Sequence, residues 1–223
     1  ELLARYPGAY RFRVWVKLDT GMNRLGFRLE EFGEAWARIT GLASVAPGPR
    51  VMTHLANADD RADPKTDRQL AAFRQAVAGL AVETSIANSA GILGWPESHG
   101  DWVRPGLLLY GVSPIPGARG ADMGLVPGMT LLTRVIAVRA VKTGESVGYA
   151  STWVAGRPTR IAIAAAGYGD GYPRNVASGT AVLINGHKYP LVGRVSMDMI
   201  AVDVTDTPSI RAGDEVVLWG PGL

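Results

Sequence analysis

Four short clusters hold most of the side chains that could do chemistry, and each adjoins an apolar run. KLDTGMNRLGF (residues 17–27) gathers Lys17, Asp19 and Arg24 around a glycine turn, a set that more often makes an ordinary solvated loop. THLANADD (53–60) places His54 just past a predicted strand. An imidazole there can act as acid, base or structural hydrogen-bonding group. SIANSAG (85–91) offers Asn88 and Ser89 among small residues, whose hydroxyl and backbone N–H groups suit a phosphate. In VRPGLLLYG (103–111), Arg104 interrupts an apolar stretch. A buried guanidinium is costly unless paired, so Arg104 is the most conspicuous residue on physical grounds alone.

Other chemistries are excluded by what the sequence lacks. There is no G-x-S-x-G, no P-loop and no H-E-x-x-H. His54, His99 and His187 are too far apart for local metal-ligand spacing. Cysteine is absent, which removes disulfides, thiolate zinc sites and cysteine nucleophiles, and fits a cytoplasmic location. GYGDGY (167–172) has the wrong glycine spacing for a dinucleotide loop. The net charge of +3 is spread along the chain without a basic stripe, so no nucleic-acid partner is expected. No apolar run reaches the roughly 18 residues needed to span a bilayer, so no membrane association is expected either.

The elements that must position these residues change character along the chain. Val14, Val16 and Leu18 alternate with polar neighbours and predict a strand ending near Asp19. Leu29, Phe32, Trp36 and Ile39 recur at helical spacing, with Gly41 at the helix end. VMTHLA (51–56), TSIAN (84–88) and GLLLYG (106–111) read as further strands. Between the first two lies a helix with Leu70, Phe73, Val77 and Leu80 on one face, opened by Asp63-Pro64. Such alternation predicts βα units and a parallel sheet. PIPGARGADMGLVPG (114–128) is a linker, and after it come only strand-like segments: 130–141, 159–166, 180–186, 189–204 and 214–220. Asn185-Gly186 marks a two-residue hairpin. The expected organisation is an α/β domain over 1–118 followed by an all-β domain over 119–223. A complete (β/α)8 barrel takes about 250 residues, so the first domain is expected to be only part of one.

The four clusters in this order, together with GYASTW (148–153), AAAGYGDGYPR (164–174) and GRVSMDM (193–199), resemble the alanine racemase family over essentially the whole chain. The resemblance implies the C-terminal part of a (β/α)8 TIM-like barrel carrying pyridoxal 5'-phosphate, followed by a mostly β-strand domain. It implies interconversion of L-alanine and D-alanine by two bases on opposite faces of the substrate, supplying D-alanine for peptidoglycan. One base is a lysine that also holds the cofactor covalently. The other matches Tyr149. A free tyrosine has a pKa near 10, so a basic role near neutrality needs positive charge or hydrogen-bond donors beside it. Arg24 and His54 match the residues that supply those contacts.

By the same resemblance Arg104 faces the pyridine nitrogen, and Asn88, Ser89, Gly106 and Leu107 belong to the phosphate-binding region. Met197 and Asp198 match residues near the substrate carboxylate, Tyr168 matches a tyrosine at the entrance, and Lys17 matches a lysine carbamylated in some members. No metal is implied. The implied partner is a second copy of the chain, in a homodimer whose sites draw Tyr149, Met197 and Asp198 from the other subunit. The cofactor lysine belongs to a segment expected before residue 1, and none of Lys17, Lys65, Lys142 and Lys188 matches it. The chain is therefore expected to be a fragment, inactive by itself. Three other readings stand beside this one: a racemase for another small amino acid such as serine, a non-catalytic racemase-like binding or association protein, and an unrelated barrel hydrolase using His54 with Asp59 or Asp60.

Overall fold

Alternate burial along three short strands builds the first sheet. In β1 (Trp15–Lys17) and β2 (Arg50–Met52) the central valines, Val16 and Val51, are buried while their neighbours are not. β3 (Thr84–Ser85) completes a parallel sheet in the order β1-β2-β3, with Val16 opposite Val51 and Val51 opposite Thr84. These belong to a computed structural model that describes residues Glu1–Leu223 and divides them into two compact units, Glu1–Val126 and Pro127–Leu223. A short helix, α1 (Leu2–Arg5), precedes the first strand. α2 (Leu29–Thr40) follows β1, as its 3.6-residue periodicity predicts, and ends at Gly41. α3 (Lys65–Ala76) follows β2, and the Asp63 carboxylate accepts the Lys65 N–H at 2.8 Å. Phe32, Leu70 and Phe73 from these helices close over Val16, Leu18, Val51 and Leu55. α4 (Ser89–Gly94) begins four residues beyond β3 and is capped by Asn88, whose Oδ1 accepts the Gly91 N–H at 2.9 Å.

Two sequence expectations need correction here. Residues 106–111, read as a strand, instead begin a helix, α5 (Gly106–Leu109). The extended segment beside β3 lies earlier, where Ser85 bridges Trp102. Pro105 then starts a turn, and three successive leucines carry no two-residue alternation to hold a strand. Segments 51–56 and 84–88 are strand only over 50–52 and 84–85. The ladder stops because later groups bond elsewhere: the Ala56 N–H goes to the Gln69 side chain, and Asn88 caps α4. No helix is long and apolar enough to cross a membrane.

The second unit is an antiparallel closed barrel. Its strands are β4 (Leu131–Val141), β5 (Ser146–Val147), β6 (Trp153–Val154), β7 (Thr159–Ala164), β8 (Ala181–Ile184), β9 (His187–Val192), β10 (Ile200–Asp203) and β11 (Glu215–Trp219). Six of them close in the order β10-β7-β4-β11-β8-β9, while β5 and β6 form a separate ribbon. Closure leaves no unpaired edge, and Val135, Ala162, Ile184, Leu191, Val202 and Val216 fill the interior. Asn185 and Gly186 both take positive φ (51° and 81°) and join β8 to β9 as the Asn-Gly pair predicts. The stretch 189–204, read as one strand, is two. Gly193 breaks it at φ 71°, where a Cβ would lie 2.7 Å from the Val147 carbonyl oxygen.

Candidate active site

In the first unit, the polar clusters meet where the chain leaves its three strands. Arg104 is the centre of the arrangement. Its Nη1 donates to Ser85 Oγ at 2.6 Å, and its Nη2 donates to the Thr53 and Ile86 carbonyl oxygens at 2.6 and 3.2 Å. Nη2 also lies 3.3 Å from His54 Nδ1. A guanidinium has five N–H donors, so the Nε–H and one Nη1–H remain for a ligand. Burial lowers the Arg104 pKa from its ordinary value, yet arginine keeps its proton in proteins.

That constancy fixes the state of His54. Arg104 can only donate, so Nδ1 accepts and the neutral ring carries its proton on Nε2. Burial pushes the His54 pKa below its ordinary value, and the positive charges of Arg104, Arg24 and Lys17 push it the same way. The four predicted residues Lys17, Arg24, His54 and Arg104 thus share one electrostatic neighbourhood. Arg24 rides on an exposed loop that Asp19 organises, accepting from the Gly21 and Asn23 N–H groups at 2.9 and 3.0 Å. Partial burial raises the Asp19 pKa, but bonds from Asn23, Gly21 and Met22 outweigh this and hold it low. The loop closes through Gly26, where a Cβ would lie 2.9 Å from the Asp19 nitrogen.

A cavity of about 300 Å³ is lined by His54, Asn88, Ser89, Arg104, Gly106 and Leu107, with Asp59, Ala90 and Pro114. Six of the predicted residues therefore share one cavity. Asn88 is held by its own structural duties, capping α4 and donating from Nδ2 to the Leu55 carbonyl oxygen at 3.1 Å. The Ser89 hydroxyl accepts the Leu108 N–H at 3.4 Å, joining the starts of α4 and α5. A Cβ at Gly106 would project to 4.0 Å from that hydroxyl. None of the four lysines lines the cavity.

The second unit presents its candidates differently. Tyr149 is 69% exposed, on a turn in which Gly148, Ala150 and Ser151 all have positive φ (80°, 59° and 48°). It shares a cavity of about 760 Å³ with Tyr168, Arg174 and Arg194. The Arg174 guanidinium lies over the Tyr168 ring at 5.6 Å. The Tyr168 and Gly169 N–H groups donate to the Ser196 and Met197 carbonyl oxygens at 3.0 and 2.7 Å, which seats one predicted segment against another. Met197 and Asp198 are exposed on that segment. Tyr172 is buried in the barrel interior, and burial raises its pKa.

Several contributors escaped the sequence reading. Arg194 sat unremarked within GRVSMDM, and Arg174 closed the AAAGYGDGYPR motif. Ser85, Thr53 and Gln69, which hold the arginine and histidine, were also missed. Gln69 left a readable signal: it is a polar residue beside Leu70 and one turn before Phe73, on the apolar face of a helix.

Comparison with known proteins gives this arrangement its context. Residues 1–114 match the family model of the alanine racemase N-terminal domain, and residues 128–222 match that of the alanine racemase C-terminal domain. The chain belongs to the alanine racemase family. It is 51% identical over 210 residues to the alanine racemase of Shewanella frigidimarina, covering 94% of this chain and 56% of that protein. The crystal structure of the biosynthetic alanine racemase from Pseudomonas aeruginosa superposes with a TM-score of 0.85 at 45% identity, over 97% of this chain and 60% of that one. The alanine racemase from Bartonella henselae, solved with covalently bound pyridoxal phosphate, gives a TM-score of 0.75 at 35% identity, over 93% of this chain and 57% of that one. The chain thus spans about three fifths of the length of the racemases it matches. Membership of this family sets aside the hydrolase reading of His54 with Asp59 or Asp60.

Proposed function

We propose that the chain carries alanine racemase chemistry: interconversion of L-alanine and D-alanine with pyridoxal 5'-phosphate, supplying D-alanine for peptidoglycan. The observation that carries this reading is Arg104, locked by four neighbours at a cavity that Ser89 and Gly106 also line. The donor set fits the cofactor. The spare N–H groups of Arg104 suit a ring nitrogen. The Ser89 hydroxyl and the unbonded N–H groups opening α4 suit a phosphate, in the space that a side chain at Gly106 would enter.

Bound pyridoxal phosphate would supply the electron withdrawal that acidifies the α-hydrogen of the amino acid. Arg104 would donate to the ring nitrogen without ceding a proton, which moderates that withdrawal and favours proton exchange over transamination. Ser89, Gly106 and Leu107 would hold the phosphate, with Asn88 fixing the turn. Tyr149 would give and take the proton on one face, with the phenol's proton balance assisted by Arg24 and His54. Met197 and Asp198 would bound the substrate carboxylate, and Tyr168 the entrance. Lys17, if carbamylated, would hold Arg24 by its new negative charge.

The same reading assigns residues 1–118 to a partial (β/α)8 barrel and 119–223 to the β domain. It makes the assembly a homodimer in which Tyr149, Met197 and Asp198 come from the second copy. Solvent-deuterium exchange at the α-carbon of alanine, with added pyridoxal phosphate, tests it. The 223-residue chain is compared with a form extended by the family's N-terminal segment, and serine is run beside alanine. Exchange in the extended form is expected, with racemisation and the exchange of one enantiomer lowered about 10²–10⁴-fold by Tyr149→Phe while exchange of the other enantiomer persists. Exchange in neither form would overturn racemisation and leave a racemase-like binding protein.

A further inference from the structure

Gln69 of α3 is only 1% exposed, on the helix face that also buries Leu70 and Phe73. Its amide is fully committed. Nε2 donates to the His54 carbonyl oxygen at 3.0 Å and to Thr20 Oγ1 at 3.2 Å, while Oε1 accepts the Ala56 N–H at 2.9 Å. These partners fix which end of the amide is oxygen, because a carbonyl demands a donor and an N–H an acceptor. The side chain therefore grips the backbone on both sides of the Leu55 peptide unit, as a neighbouring strand would. Its second arm continues through Thr20 Oγ1 to Thr53 Oγ1 at 2.8 Å, and the Thr53 carbonyl oxygen accepts from Arg104. With the Arg104–His54 contact the chain of bonds closes on itself. Gln69 does not line the cavity, so any effect it has there passes through the groups it bonds.

We infer that Gln69 is a positioning residue: it fixes His54 against Arg104 and, through Thr20, ties the Arg24 loop to the same point. The inference rests on the racemase reading for its consequence but not for its test. An amide used only to fill a hole in the core would satisfy polar groups without governing the imidazole. The two cases separate in the behaviour of His54, which faces Arg104, Arg24 and Lys17, with Asp59 on the same cavity.

The test is ¹⁵N NMR of the imidazoles in the 223-residue chain, where only three histidines contribute. No cofactor or substrate is required. In the wild type, His54 should be the Nε2–H tautomer with a depressed titration midpoint. Gln69→Met keeps the volume and removes all three bonds. It should move the midpoint up, mix the tautomers, and cut exchange protection of the Ala56 amide about tenfold. Thr20→Val cuts only the second arm. It should leave Ala56 protected and raise the His54 midpoint by less, and it decides the matter if Gln69→Met does not fold. Thr66→Val is the control, since Thr66 is equally buried on α3 and its Oγ1 has no partner. An unmoved His54 in the folded Gln69→Met or Thr20→Val chain, or an equal shift in Thr66→Val, overturns the inference. Failure of the deuterium-exchange assay would overturn the racemase reading and leave these spectra to be judged independently.

Discussion

Arg104 in the first unit and Tyr149 in the second both belong to the proposed reaction, yet the fold treats them in opposite ways. Arg104 is partly buried and bonded to Ser85, Thr53, Ile86 and His54. Tyr149 stands mostly in solvent on a turn of left-handed residues, with two arginines sharing its cavity. One unit preorganises a cationic site by enclosing it; the other presents its tyrosine on a turn of positive-φ residues. Stability and activity should therefore be tightly coupled at the first residue and nearly independent at the second.

The sharpest way to break this contrast is to remove each side chain and measure folding. Arg104→Leu leaves the Thr53 and Ile86 carbonyl oxygens and the Ser85 hydroxyl without their donor. It should cost about 3 kcal/mol, given roughly 1–3 kcal/mol for each buried group left unpaired and partial rescue by water. Tyr149→Phe should change stability by no more than about 0.5 kcal/mol, as exposed substitutions do. Urea unfolding followed by tryptophan fluorescence reads the first change well, because Trp15, Trp36, Trp95 and Trp102 all lie in the first unit. Equal losses at the two positions would mean that the turn around Tyr149 is not independent of its side chain.

A smaller effect sharpens the picture of the second unit. A Cβ at Gly167 would collide with the Ser196 and Met197 carbonyl oxygens. These are the two carbonyls that seat the Tyr168 turn. Gly167→Ala should destabilise by about 1–3 kcal/mol, typical of overpacking, and shift the backbone resonances of Met197 and Asp198. Gly156→Ala, with nothing within 4 Å of the added carbon, should do neither. If the Met197 resonances stay in place in the Gly167 variant, that loop is not held by the Tyr168 turn.

The contrast also explains what the sequence could convey. Elements governed by local rules were legible: α2 from its repeat of Leu29, Phe32, Trp36 and Ile39, and the β8–β9 turn from Asn185-Gly186. The interrupted apolar run singled out Arg104 before any fold was known. Elements decided by distant partners were not legible. Residues 106–109 are apolar enough for a strand, but Trp102 already occupies the edge beside Ser85 and Pro105 turns the chain into a helix. Thr20, Thr53 and Gln69 are separated by up to 49 residues and meet only in the folded core. No spacing rule joins them, and only a polar residue on an apolar helix face hints at the network. Tyr149 drew attention solely through its motif, because an exposed tyrosine has no physical mark of its own.

The smallest expected effect concerns pH, and it follows from the enclosure of the first unit alone. Burial and the charges of Arg104, Arg24 and Lys17 lower the His54 pKa in the folded chain, whereas the unfolded chain titrates near the ordinary 6.5. As pH falls below 6.5, the unfolded state takes up this proton before the folded state does. Linkage then requires stability to decline with acidification from 6.5 down to the folded midpoint, and to be unaffected by this group above 6.5. The carboxylates Asp19 and Asp63, whose pKa values are lowered, titrate below this window. Urea midpoints measured across that window should fall with pH in the wild type, by less than one proton's worth. The slope should flatten in His54→Gln, which cannot titrate, and become shallower in Arg104→Leu, which removes one of the three charges. An unchanged slope in His54→Gln would show that the cationic enclosure does not govern the imidazole. The contrast between the enclosed Arg104 and the presented Tyr149 would then rest on hydrogen bonds alone.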